Sequence, residues 1–204
     1  HKGFNTREKA EAYIENGLNA VNVISHDTIK SLIDISAEEK EVILKRDMPE
    51  KIKKGILEYY NVNSLTEISD TKISSMKSCR DTYSTKKIVE YNKECVDYYT
   101  LNYLPVNFYK IWQPLYKLIS INKLPREIKI LEIGNGPGTA TWGLISFYEY
   151  LALENPIIDF RVEYDCVEIE PNFGEIFFRL RTKCLENLPG NLEVNFKKVL
   201  YGIN

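Results

Sequence analysis

Three glycines and two acids stand close enough in the sequence to act on one ligand. Glu132 lies two residues ahead of Gly134-Asn135-Gly136-Pro137-Gly138, and Glu168 ends a second apolar segment downstream. Glycines at alternate positions permit positive φ and leave no Cβ between a turn and whatever lies against it. The two acids bring hydrogen-bond acceptors and negative charge to the same neighbourhood. The chemistry open to such a set is recognition of a nucleotide-like molecule, with backbone N–H groups facing its polar centre and carboxylates accepting its hydroxyls or holding a cationic group.

Those residues need a scaffold that delivers them to one edge. The apolar run Ile130-Leu131-Glu132-Ile133 reads as a strand running into the glycine turn, and residues 139–150 read as a helix. The first N–H groups of that helix have no intrahelical partner and point into the turn. After Asn155-Pro156, residues 160–169 form a second strand pattern and residues 173–185 an amphipathic helix. Leu188-Pro189-Gly190-Asn191 is a turn, and residues 192–199 alternate as a third strand. Strand–helix–strand–helix–strand predicts a right-handed parallel α/β unit, which binds ligands at the carboxyl ends of its strands.

The spacing narrows the ligand. A dinucleotide fingerprint is GxGxxG, whereas this turn is GxGxG with a proline inside it. A carboxylate at Glu132 disfavours phosphate beside the turn and suits the amino group of a methionine-like moiety, directly or through water. Glu168 then accepts both ribose hydroxyls. The pattern favours S-adenosylmethionine over NAD or FAD.

Glu132-Ile133-Gly134-Asn135-Gly136-Pro137-Gly138 resembles motif I of class I S-adenosylmethionine-dependent methyltransferases, and Val167-Glu168-Ile169-Glu170-Pro171 resembles their acidic motif II. The extension through Thr139-Ala140-Thr141-Trp142 is similar to the GPGT-x-x-W signature of the methyltransferase-like family associated with the small ribosomal subunit of bacteria and mitochondria. That family has an upstream helix bearing Tyr and Pro, which Tyr99 and Leu104-Pro105 match in part. Tyr103 stands where many members have arginine. The resemblance spans residues 95–200 and is strong only over motif I.

The resemblance implies an α/β, Rossmann-like class I methyltransferase fold preceded by a helical amino-terminal region. It implies S-adenosylmethionine held by Glu132, Gly134, Asn135, Gly136, Gly138, Glu168 and Ile169, with Tyr99 contributed by the upstream helix. It further implies methylation of ribosomal RNA or a part in small-subunit assembly, in the cytoplasm or, in a eukaryote, the mitochondrial matrix. The class has seven strands and three are evident, so the chain is expected to be the amino-terminal part of a longer protein, or a fold completed by another chain. The fourth strand, where family members place substrate-facing and catalytic residues, is missing, as is the region of their metal-binding cysteine cluster. No residue is assigned as a general base. Two other readings stand beside this one: a methyltransferase-like binding or assembly factor without turnover, and a small-molecule or protein methyltransferase with a helical lid.

Composition sets the outer bounds. The chain has 204 residues and a net charge of −2, so charge alone does not argue for nucleic acid. The basic residues clustered at 45–54 and 72–87 read as solvated helix faces. Cys79, Cys95, Cys166 and Cys184 form no CxxC pair, and with two His no zinc or iron–sulfur site is encoded by local spacing. Cys166 falls in a strand pattern as a small core residue. No apolar run approaches the ~18 residues of a membrane span. Residues 1–90 are expected to form a helical region, with a stripe at Tyr13, Ile14, Leu18 and Val21, a capping box at Ser36 and Glu39, and a polar connector over 61–90 holding one or two short helices. Residues 91–204 form the expected S-adenosylmethionine-binding domain. It opens on an aromatic segment whose rings suit core packing, or in which a tyrosine covers the ligand.

Overall fold

The computed structural model describes residues 48–84 and 92–202. The helices expected around Tyr13–Val21 and at Ser36 lie outside the described residues. The described chain is α/β, with a three-stranded sheet of β1 (Glu127–Ile133), β2 (Phe160–Glu168) and β3 (Leu192–Tyr201). All pairing is parallel and the order is β1-β2-β3, an arrangement compatible with a Rossmann-like fold.

Strict alternation in β2 sorts its side chains. Phe160, Val162, Tyr164, Cys166 and Glu168 are buried on one face, while Arg161, Glu163, Asp165 and Val167 are half-buried on the other. Register places Ile128, Ile130 and Glu132 of β1 beside Val162, Tyr164 and Cys166. The opposite face of β1 carries Lys129, Leu131 and Ile133, the last two 63% and 76% exposed. A register shift at Tyr164/Asp165 lets the Lys198 N–H donate to Asp165 Oδ1 at 2.8 Å.

In chain order the α-helices are α1 (Glu50–Tyr60), α2 (Asp70–Ser84), α3 (Lys93–Tyr98), α4 (Leu104–Asn107), α5 (Trp112–Ser120), α6 (Thr139–Glu154) and α7 (Phe173–Leu185). The connector expected over 61–90 contains a short 3₁₀ turn, Leu65–Glu67, and the 15-residue α2. Helix α2 packs on α3, where buried Cys79 and Cys95 bring their Sγ atoms to 3.3 Å. Helices α6 and α7 pack on the buried face of the sheet, where Trp142 and Phe177 meet each other and Phe196 of β3. Around most of α6 the residues are apolar and buried, among them Trp142, Phe147, Tyr148 and Leu151, as suits a helix held between layers. Phe173, Ile176, Phe177, Leu180 and Cys184 form the buried stripe of α7 at spacings of three and four.

Residues 93–120 form one helical path whose winding changes. Pro105 has no N–H to give, and its ring crowds the carbonyl four residues back. The preceding residues Tyr99–Tyr103 therefore widen into a π-helical turn, and the Leu104 N–H bonds Tyr99 O. A 3₁₀ turn at Phe108–Ile111 joins α4 to α5. Phe108 and Trp112 from this path are fully buried. Among the described residues no helix is long and apolar enough to cross a membrane.

Candidate functional site

The glycine turn sits at the carboxyl end of β1. The Gly134 N–H donates to Val167 O at 2.7 Å, so sheet pairing continues to its first residue. Gly134, Gly136 and Gly138 then take φ of 72°, 52° and 85°. These are left-handed values that side-chain-bearing residues adopt at a cost. The three serve different ends. A Cβ on Gly134 or Gly136 would meet nothing within 4 Å, so both leave open space on the turn. A Cβ on Gly138 would come within 2.4 Å of Trp142 Nε1.

Side chains brace the turn from three elements. Trp142 Nε1, on α6, donates to Pro137 O at 2.8 Å. Glu168, at the end of β2, accepts from the Gly136 N–H at 2.7 Å and from the Glu170 N–H at 3.0 Å, one through each carboxylate oxygen. Tyr201, at the end of β3, accepts from Asn135 Nδ2 at 2.9 Å and donates to Gly136 O at 3.2 Å. The turn is thus fixed before anything binds. Two buried acceptors beside it lack partners, Asn135 Oδ1 and Thr139 Oγ1. An unsatisfied buried polar atom is costly, and a group that bonds it recovers that cost.

Glu132 faces the same space from β1. Its Oε2 accepts from Thr141 Oγ1 at 2.6 Å and from Tyr164 Oη at 2.9 Å. Burial raises its carboxyl above the ordinary range, and these two hydrogen bonds act against that rise. The Tyr164 hydroxyl is held strongly protonated by burial and by the neighbouring Glu132, so it stays a donor to the carboxylate.

Together these groups form one wall of a cleft of about 670 Å³, within the ~300–1,000 Å³ usual for small-molecule and cofactor sites. The opposite wall is the 93–120 helical path, with Tyr99, Tyr103, Asn107, Lys110, Ile111 and Pro114, and exposed Ile169 and buried Phe173 complete the lining. Tyr99 lies edge-on to Phe173 with ring centroids 5.5 Å apart.

Of the residues singled out in the sequence, Tyr99, Glu132, Gly134, Asn135, Gly136, Glu168 and Ile169 all line this cleft. Gly138 does not; it packs behind the turn against Trp142 and Phe177. Glu168 is already engaged by two backbone N–H groups, so it shapes the turn and keeps only its remaining lone pairs for a ligand. Tyr201 and Lys110 carry no sequence signal for a site. Tyr201 reaches the turn because strand register sets it opposite Glu168. Lys110 reaches the cleft through its 3₁₀ turn. Among the described residues, no group of three or more His, Cys, Asp or Glu is placed to hold a metal ion. No protein-family model matches the chain, and no curated protein matches it.

Proposed function

We propose that the cleft binds S-adenosylmethionine, and that the chain is the cofactor-binding part of a class I methyltransferase acting on ribosomal RNA or in small-subunit assembly. The observation that carries this reading is the pairing of an open glycine turn, clamped by Glu168, with a second carboxylate, Glu132, lining the same cleft. A phosphate-binding turn would place no carboxylate there. The residues fit the cofactor: space stands open over Gly134 and Gly136, and Asn135 Oδ1 and Thr139 Oγ1 await donors.

S-adenosylmethionine supplies a methyl group on a sulfonium, an electrophile that needs alignment more than activation. Glu168 accepts ribose hydroxyls on the lone pairs its backbone partners leave free. Ile169 and Phe173 offer apolar surface to the base. Glu132 takes the ammonium of the amino-acid tail. Tyr99 and Tyr103 close the far side and exclude water. The ribosomal assignment rests on the GPGT-x-x-W signature, whose Trp142 holds the turn through Pro137 O.

Titration calorimetry with S-adenosylhomocysteine and with NAD tests the reading. Saturable heat with the first and none with the second is expected. A folded protein silent to S-adenosylhomocysteine overturns it. Methyl incorporation into small-subunit ribosomal RNA from labelled cofactor then tests the substrate class.

A further inference from the structure

The cleft contains two carboxylates, Glu132 and Glu168, and a single cationic lining residue, Lys110. Lys110 is exposed and, among the described residues, forms no ion pair. Its backbone is fixed all the same. Gly143 of α6 lets the 3₁₀ turn approach so closely that a Cβ there would lie 2.4 Å from Phe108 O. Trp112 Nε1 donates to Gly143 O at 2.8 Å on the other side of Lys110. Phe108 and Trp112 are both buried, so the lysine is held between two anchors while its ammonium remains uncommitted. The neighbouring Asn107 is occupied, its Nδ2 donating to Tyr103 O at 2.7 Å.

An amino-acid tail brings a carboxylate as well as an ammonium. With only Glu132 and Glu168 at hand, that carboxylate would meet like charge in a partly desolvated site. We propose that Lys110 binds the carboxylate of the ligand's amino-acid tail while Glu132 binds its ammonium, so that the site selects a zwitterionic tail and not a nucleoside alone. The inference rests on the S-adenosylmethionine reading of the cleft and assigns Lys110 as its specificity-determining residue.

Calorimetry on the intact chain tests this with two ligands, S-adenosylhomocysteine and 5′-methylthioadenosine, which shares the nucleoside thioether but lacks the amino-acid tail. Lys110→Ala is expected to weaken S-adenosylhomocysteine about tenfold, the size of one charge-assisted hydrogen bond at a half-open site, and to leave 5′-methylthioadenosine unchanged. Lys110→Arg keeps a cation and is expected to bind S-adenosylhomocysteine within about threefold of the natural chain. Unchanged S-adenosylhomocysteine affinity in Lys110→Ala, equal weakening of both ligands, or Lys110→Arg as weak as Lys110→Ala each overturns the proposal with the cofactor reading intact. A natural chain that binds neither ligand overturns the cofactor reading itself.

Discussion

Glu132 is where burial and charge conflict most directly. Its carboxyl is raised above the ordinary range, chiefly by burial. A raised folded-state value means that its contribution to stability is fully present below the unfolded value and is lost as pH rises through the folded one. Binding an ammonium runs the opposite way, because the ammonium needs the ionised carboxylate. Affinity for S-adenosylhomocysteine is therefore expected to fall as pH drops, beginning at a higher pH than an ordinary carboxylate would impose. Glu132→Gln keeps an acceptor for Thr141 and Tyr164 and removes the charge. Its melting temperature at neutral pH should equal or exceed that of the natural chain. Its affinity should fall about tenfold or more and lose that pH slope. Calorimetry between about pH 5 and 8 reads both effects. A Gln variant that binds like the natural chain across this range removes Glu132 from the ligand. At this scale the sequence was informative, since the glycines, Glu132 and Glu168 sit in a short local pattern whose chemistry does not depend on distant contacts. Tyr201 was not legible, because its place depends on strand register and on a shift at Tyr164/Asp165 that alternation does not encode.

Elements bring the two walls of the cleft together, and their junction is Gly143. The helical path carrying Tyr99, Tyr103 and Lys110 meets α6 there, with Phe108 O pressed against the glycine. Gly143→Ala sets two effects against each other. Alanine in a helix interior gains about 0.5–1 kcal/mol over glycine. A methyl 2.4 Å from a backbone carbonyl cannot rotate away, and overpacking of this kind costs about 1–3 kcal/mol. The overlap is expected to win, with a net loss of about 1–2 kcal/mol and weaker S-adenosylhomocysteine binding as the walls separate. Gly190→Ala serves as the control, since its Cβ would meet nothing within 4 Å, and it should stay within about 0.5 kcal/mol. Denaturant titration of both variants decides the matter: equal stabilities would show that the junction tolerates a side chain. The elements themselves were largely legible. Residues 173–185 are helical over the expected span, and strands two and three begin at Phe160 and Leu192 as their alternation predicts. The aromatic segment resisted reading because its rings divide between core and cleft. Phe108 and Trp112 are core, while Tyr99 and Tyr103 line the cleft. Helical spacing alone cannot sort them once a π-helical turn and a 3₁₀ turn change the period.

At the scale of the whole molecule, one buried cluster runs from α1 through the 93–120 path and α6 to α7 and the sheet. Nothing in the pattern of residues 50–60 announces that partner, since an amphipathic face shows that a helix docks and not where. The contact is close all the same. Gly55 lies so near α7 that a Cβ would sit 2.7 Å from Leu180 Cδ2, and Lys183 pairs with Glu58 at 2.8 Å. Lys51 also pairs with Glu149 on α6. Exposed pairs such as Lys183–Glu58 contribute little, so burial of Ile52 and Ile56 must hold α1 in place. Ile56→Ala is then expected to cost about 2–5 kcal/mol, the range for truncating a buried isoleucine. If α1 shares the cooperative core, the loss should reach the whole of that core. The two tryptophans, Trp112 and Trp142, report on the core around α6, where both are buried. Their fluorescence midpoint in denaturant should shift together with the helical signal in circular dichroism. A variant that loses helix while its tryptophan midpoint stays put would mark α1 as a separately melting unit. The cleft would then depend for its stability on the 93–120 path, α6, α7 and the sheet, without α1.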